Sequence, residues 1–248
     1  VSLRKVAAGA VVNNTGPLDA PSDPNDPLID GESFTYVAQV VVPAGTVPGD
    51  NDLTFIAVSP TSGARDEILN TVTVNTVREI SLISDNSGQI SPGGSITYEH
   101  IISNLGNVTE ALPATAIALA LSDTNVAQGW TSVIHLDDND DGVLDPSDPI
   151  ITSLPSGAVT QLGRVGQSDD SARLVVKVFA PLGAPNAAIN ITTITATPSG
   201  TVNGIAAPAA VSNEDTTTVI LGDVVLLKEQ ALDADSDGIA DGGPGSYT

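Results

Sequence analysis

Apolar and polar residues alternate along most of this chain, and the alternation comes in short runs. Ile117, Leu119 and Leu121 occupy every second position, the period of a β-strand with one buried face. Pro, Gly, Asn and Asp separate the runs, and no stretch has the 3.6-residue period of a long amphipathic helix. The pattern predicts strands at residues 1–6, 32–42, 53–59, 67–77, 80–82, 96–103, 115–121, 130–136, 174–179, 189–197 and 216–221.

A hairpin signal supports the same assignment. Asn203-Gly204 lies between the apolar residues Val202 and Ile205, which is typical of a two-residue hairpin turn. Many short strands separated by turn residues indicate sheets packed face to face. The sequence therefore predicts an all-β fold made of Ig-like β-sandwiches.

The pattern restarts twice. The opening VSL at 1–3 is echoed by ISL at 80–82 and VVLLK at 224–228, and the GESFTY stretch at 31–36 is echoed by GSITY at 94–98. Such self-similarity predicts repeated units. We expect an Ig-like sandwich at residues 1–78 and a larger one at residues 79–222. Residues 223–248 would be the opening strand and linker of a further repeat, able to act as a strand donor.

The most informative motif for chemistry is the acidic loop at residues 137–148, with six aspartates in twelve positions. Its spacing matches positions 1, 3, 5, 7, 9 and 12 of a calcium loop, with Gly142 at the turn. Asp148 stands where the helix-loop-helix pattern has Glu, which shortens the reach to the ion. The flanks are rich in β-formers, so the ion would clamp strands rather than act as a sensor. The alternative is a solvated acidic turn. The predicted ligands are Asp137, Asn139, Asp141, the Val143 carbonyl, Asp145 and Asp148.

A second loop, at residues 233–244, follows the same spacing but has Pro244 at position 12. A ligand from elsewhere would have to complete its shell, and a solvated linker is the alternative. An ion here would stiffen the joint to the next unit. An Asp- and Pro-rich loop at residues 19–30 is a weaker candidate without a turn glycine. The ligands predicted in the second loop are Asp233, Asp235, Asp237, the Ile239 carbonyl and Asp241.

Composition narrows the functional classes. The formal net charge is −22, from 8 basic and 30 acidic residues, which excludes a general nucleic-acid binder and disfavours anionic lipid. Bound calcium (Ca2+) would offset part of this charge, and adaptation to high salt is the alternative explanation. There is no Cys, so disulfides and thiol chemistry are absent. No apolar run approaches the length of a membrane span, so we expect no membrane insertion. The missing initiator Met indicates a piece of a longer protein.

The motifs resemble known families. The acidic loop resembles the calcium loops of dockerins and thrombospondin type 3 repeats. The VSLRK opening, the GSITY strand and the SNLGN turn at 103–107 resemble the conserved-repeat Ig-like domains found in tandem on bacterial and archaeal surface proteins. That resemblance implies a cell-surface location and an architectural or adhesive role.

Little supports catalysis. With no Cys and with His100 and His135 as the two histidines, a zinc site is disfavoured, and no nucleophile-elbow motif or phosphate loop is present. We therefore expect no enzyme. Trp130 is either a core residue or a platform for stacking a sugar. Asparagines followed two positions later by Ser or Thr, which form glycosylation sequons, are Asn13, Asn107 and Asn190.

These observations predict a calcium-stabilised extracellular structural protein, the subunit of a surface filament or surface layer. Because residues 223–248 begin a repeat without its remaining strands, we expect the segment 224–228 to pack on its own sandwich or to complete a neighbouring copy head to tail. The alternatives are a stalk module of a cell-surface adhesin and a carbohydrate-binding accessory module.

Overall fold

A computed structural model describes residues 2–5, 36–60 and 62–222, and these residues are almost entirely β-structure and turns. The strands are β1 (Ser2–Lys5), β2 (Tyr36–Gln39), β3 (Gly49–Val58), β4 (Arg65–Val74), β5 (Ile80–Ile83), β6 (Asn86–Ile90), β7 (Ser95–Asn104), β8 (Ile117–Asp123), β9 (Thr131–Leu136), β10 (Ser153–Leu154), β11 (Ser171–Phe179), β12 (Ile189–Pro198), β13 (Thr201–Val202), β14 (Ile205–Ala206) and β15 (Val211–Val219). One 3-10 turn spans Val126–Gln128. Among these residues no helix is long and apolar enough to cross a bilayer.

Strands β5–β12 and β15 form two sheets. One sheet has the order β5-β7-β11-β9, and the other has the order β10-β8-β12-β15-β6. The first order corresponds to strands A, B, E and D of an immunoglobulin-like sandwich, and β8, β12 and β15 correspond to C, F and G. The predicted all-β fold class is therefore confirmed, and this part of the chain has Ig-like strand order.

The sandwich core lies between the two sheets. Strand β12 buries every second side chain, as a strand with one face on a core must. Trp130, Ile102 and Leu174 are among the largest fully buried side chains. Leu174 pairs with both Leu136 and His100 across the first sheet, so the core is continuous across its central strands.

The first strand of the sandwich is divided between the sheets. β5 pairs antiparallel with β7, and after two residues β6 pairs parallel with β15 in the other sheet. Asn86 stabilises the crossing, because its amide nitrogen donates to the carbonyl of Glu99 at 3.1 Å and to the carboxylate of Asp215 at 3.0 Å. The opening strand thus contributes to both layers.

Two polar pairs connect the sheets inside the core. His100 and Asp215 are both fully buried, with Nε2 and Oδ2 2.9 Å apart. Tyr98 Oη lies 2.8 Å from Thr217 Oγ1. Burial, followed by the negative charge of Asp215, raises the pKa of Tyr98, and the hydrogen bond to Thr217 offsets part of that effect. These pairs fix the position of β7 in the first sheet relative to β15 in the second sheet.

A buried ion pair closes the end of the sandwich where the chain enters it. Arg78 donates from Nε and Nη2 to the two carboxylate oxygens of Glu110 at 2.6 and 2.7 Å. It also donates to the carbonyls of Ser199 at 3.0 Å, Gly200 at 2.9 Å and Ile205 at 3.2 Å. Glu110 is fully buried. These hydrogen bonds use the donors of the guanidinium and offset the cost of removing its charge from water.

The described residues before the sandwich form two small sheets. β1 pairs with β2, and β3 and β4 form a hairpin around Gly63, which confirms the two strands predicted there. The Asn203-Gly204 turn is also confirmed, with φ of +50° and +80° and strands β13 and β14 on either side. The proposed unit boundaries at 78/79 and 222/223 stay predictions.

Candidate metal centre

The acidic loop at residues 137–148 connects β9 to the segment that leads into β10. Backbone hydrogen bonds pair its ends: Leu136 N donates to Pro149 O at 3.0 Å, and Ile151 N donates to Ile134 O at 3.0 Å. The sequence continues the strand on both sides because Ile134, Leu136 and Ile151 are buried core residues. The loop is therefore closed at its base by the sheet.

The first and last positions of the loop are buried carboxylates. Asp137 and Asp148 are only 4% and 6% exposed. Asp137 accepts hydrogen bonds from the backbone N–H of Gly142 at 2.7 Å and of Asp141 at 3.3 Å. Asp148 accepts from the N–H of Asp145 at 2.7 Å and of Asp138 at 3.2 Å. Burying charge in this way requires hydrogen bonds or a counter-ion.

The side chains at positions 3, 5 and 9 of the loop are also connected by hydrogen bonds. The Asn139 amide nitrogen lies 3.1 Å from a carboxylate oxygen of Asp141 and 3.0 Å from one of Asp145. Gly142 has φ +79°, a conformation that favours glycine. The turn brings the carboxylates of predicted positions 5 and 9 within hydrogen-bond distance of the Asn139 amide at position 3. The donor set of carboxylate, amide and carbonyl oxygens is the one that calcium prefers.

Two further observations describe how the predicted ligands are placed relative to one another. Among residues 2–5, 36–60 and 62–222, no group of three or more His, Cys, Asp or Glu side chains is gathered closely enough to hold a metal ion. Val143, whose carbonyl is predicted as a ligand, is 59% exposed, and its N–H donates to Asp141 at 2.8 Å. The loop has the donor chemistry and the turn for calcium, but its acidic side chains are not drawn together around one point.

Arg173 is a neighbour that the motif did not reveal. Its Nε lies 2.9 Å from Asp140 Oδ1 and 3.6 Å from Asp137 Oδ2, and its Nη1 pairs with Glu99. β11 places it there, since the next residue, Leu174, pairs with Leu136. The sequence offered one signal for this contact. Basic residues are scarce in the chain, with 8 against 30 acidic residues, so each of them is expected to lie beside acidic groups. Arg173 supplies a positive charge beside the loop.

The other predicted ligands have no structural test. Asp233, Asp235, Asp237, Ile239 and Asp241 lie outside the described residues. The weaker candidate loop at residues 19–30 also lies outside them, as does the segment 224–228.

Several remaining candidates have structural roles. Trp130 is 2% exposed, so it is a core residue and not a surface platform. Asn190 is fully buried and donates to Asp123 at 2.8 Å and Thr192 at 3.1 Å. Asn107 is 9% exposed and hydrogen-bonded through both ends of its amide. Neither of these sequon asparagines presents a free amide nitrogen for glycosylation in the folded chain.

No family model and no curated protein matches this chain. Solved structures give distant likenesses. A family 123 glycoside hydrolase from Clostridium perfringens has 14% identity and a TM-score of 0.32, covering 58% of this chain and 27% of that one. AggA, the major subunit of Escherichia coli aggregative adherence fimbriae type I, has 14% identity and a TM-score of 0.30, covering 60% and 97%. Domains 4 and 5 of the S-layer protein SbsC have 14% identity and a TM-score of 0.28, covering 89% and 100%. Because these TM-scores are low, function is inferred below from this chain's own residues.

Proposed function

We propose that this chain is a non-catalytic structural segment of an extracellular protein, stabilised by calcium at the loop of residues 137–148. The observation that carries the proposal is the arrangement of the loop. Its first and last carboxylates are buried, and the Asn139 amide nitrogen donates to the carboxylates of both Asp141 and Asp145. Oxygen donors at this spacing, on a loop closed by β9, provide the ligand types and flexible geometry that calcium takes.

The ion would act by neutralising the loop. Six aspartates within twelve residues repel one another, and among the described residues Arg173 is the basic group that pairs with the loop. A divalent cation held by Asp137, Asn139, Asp141, Asp145, Asp148 and the Val143 carbonyl would offset part of that repulsion. It would also fasten the end of β9 to the connection that leads into β10.

The chemistry of the loop favours the outside of a cell. Asp148 replaces the longer Glu that binds with both oxygens in high-affinity loops. Its carboxylate is also already engaged by two backbone N–H groups. Both features favour weak affinity, of the kind that extracellular calcium at millimolar levels saturates.

The test is calcium-dependent thermal unfolding of the wild type and of Asp141→Ala. An ion present at about 100 times its Kd stabilises the folded state by about 2.7 kcal/mol, roughly 5–10 °C in Tm for a chain of this size. We expect the wild type to gain that stability in calcium over chelator. Asp141→Ala should lose most of the gain because it removes a central ligand.

Asp140→Asn is the matched control. It removes the same charge from the same loop, at a position outside the predicted ligand set, and Asn tolerates the positive φ of +59° found there. It should keep the calcium response. An identical melt in excess calcium and in chelator for the wild type would contradict the calcium site.

The preferred biological context is a filament or surface layer built head to tail. The support is the repeat spacing, with restarts near residues 1, 80 and 223, since heterologous contacts between repeated units build open assemblies. Negative-stain electron microscopy with calcium and then with chelator tests this. We expect filaments or sheets that come apart in chelator, whereas single particles in both conditions would indicate a stalk module of an adhesin. A carbohydrate-binding module has less support, because Trp130 is buried.

A further inference from the structure

We infer that the turn at residues 104–107 is a clasp that fixes the linker at residues 75–79 to the sandwich and so sets the direction of the segment that precedes it. The turn belongs to the SNLGN stretch, whose motif resembles that of a repeat family. The structure gives it a mechanical task, and this task does not require the proposed calcium site.

Asn107 holds the linker backbone at two residues. Its side-chain oxygen accepts from Val77 N at 2.7 Å, and its amide nitrogen donates to Asn75 O at 2.9 Å. Its own backbone N donates to Val77 O at 3.0 Å. Leu105 N continues the contact by donating to Glu79 O at 2.8 Å. Four hydrogen bonds therefore bind three of the five linker residues to one turn.

The linker lies so close to the turn that a side chain cannot be accommodated between them. A Cβ placed on Gly106 would lie 2.5 Å from Val77 O and 3.2 Å from the Cα of Arg78. Asn104 holds the turn itself, since its amide nitrogen donates to Val108 O at 2.7 Å and Gly163 O at 2.8 Å, and its oxygen accepts from Gly106 N at 2.9 Å. The clasp is thus pre-formed on the sandwich.

Two further contacts reach across the joint. The Asn203 amide nitrogen, in the β13–β14 turn, donates to Thr76 Oγ1 at 3.0 Å. Gly106 O accepts from Val165 N at 2.9 Å, and a Cβ on Gly45 would lie 2.2 Å from Val165 O. The loop before β3 therefore touches the same end of the sandwich that holds the linker. The contacts surround the linker on several sides. The one acidic side chain that holds the linker in the described part of the chain is Glu110, whose charge Arg78 of the linker already balances, so the joint does not depend on a bound metal ion.

The test is the Asn107→Ala variant of the whole chain, measured by NMR in chelator. Losing the Asn107 amide should raise the exchange rate of the Val77 N–H by about fivefold, since one net hydrogen bond is worth about 1 kcal/mol. Residual dipolar couplings of β3–β4 and of the sandwich should fit one alignment tensor in the wild type. In Asn107→Ala the couplings of β3–β4 should fit that tensor measurably worse, because fewer hydrogen bonds then hold the linker and the segment moves more relative to the sandwich.

Asn190→Ala is the matched control. It removes another buried, hydrogen-bonded asparagine, but one located at β12, away from the joint. It should lower stability and leave the Val77 exchange rate and the shared tensor unchanged. Asn203→Gly is a milder second variant: it keeps the positive-φ turn and removes only the contact with Thr76, so we expect a smaller rise in Val77 exchange.

Either of two results would overturn the inference. One is an unchanged fit of the β3–β4 couplings to the shared tensor together with unchanged Val77 exchange in Asn107→Ala. The other is an equal effect of Asn190→Ala, which would show that general destabilisation causes the change. Addition of calcium should leave all of these measurements as they are in chelator, so a failure of the calcium site would not imitate a failure of the clasp.

Discussion

Arg78→Ala should lower the free energy of unfolding by about 3–5 kcal/mol, because removing one partner of a buried ion pair leaves the other charge buried and unpaired. The unpaired group would be Glu110, which is fully buried. The substitution also removes the donors to the carbonyls of Ser199, Gly200 and Ile205. Urea unfolding followed by circular dichroism measures the loss.

Two further variants test whether the unpaired buried charge causes this loss of stability. Arg65→Ala removes an arginine whose partner, Glu67, is exposed, and should cost less than about 1 kcal/mol. Arg78→Met combined with Glu110→Leu should recover part of the loss, since no charge is then left unpaired, but the carbonyls that Arg78 satisfied would still lack a donor. A cost for Arg78→Ala no larger than that of Arg65→Ala would show that the pair is not important for stability.

Trp130→Ala should cost about 3–5 kcal/mol, the usual range when a large buried aromatic residue is removed from a well-packed core. Trp130 is 2% exposed and belongs to the cluster that includes Ile134 and Val178. Differential scanning calorimetry measures the loss. Leu182→Ala, at an 85% exposed position, is the control and should change stability by less than about 0.5 kcal/mol.

The same residue separates the core role from a sugar-stacking role. Trp130 is the one tryptophan in the chain, so intrinsic fluorescence reports on it directly. We expect no change in its emission when oligosaccharides are added to the folded protein. A saturable shift in emission would mean that the ring meets ligand, which contradicts its position in the core.

The alternation of apolar residues was enough to predict most strands of the sandwich. Ile96 to Ser103 and the run at 189–197 match β7 and β12 closely, because each buries one full face. Strand β6 was missed. Its residues Ser87, Gly88 and Gln89 are small or polar, and the strand exists because β15 pairs with it. A strand determined by a distant partner leaves little trace in its own sequence.

The candidate site was also predicted only in part. Spacing placed the carboxylates of the 137–148 loop, since ligands of one loop are local in sequence. It could not place Arg173 or Glu99, which reach the loop only through the register of β9, β11 and β7. The role of Asn107 was also invisible, because its partners are backbone atoms of residues 75 and 77, and any residue other than proline offers the same groups.

The division of the opening strand between the two sheets has a consequence for how the sandwich resists mechanical tension. Tension along the chain acts first on β5, and once β5 has separated from β7 it pulls β6 at its beginning and β15 at its end. Because these neighbours are parallel, with five residue pairs from Asp215 and Asn86 to Val219 and Ile90, the two pulls oppose each other along the strand axis. The hydrogen bonds between them must then shear together, whereas an antiparallel pair pulled at one end opens bond by bond. A chain stretched in this way would resist extension at the seam where its first and last strands meet.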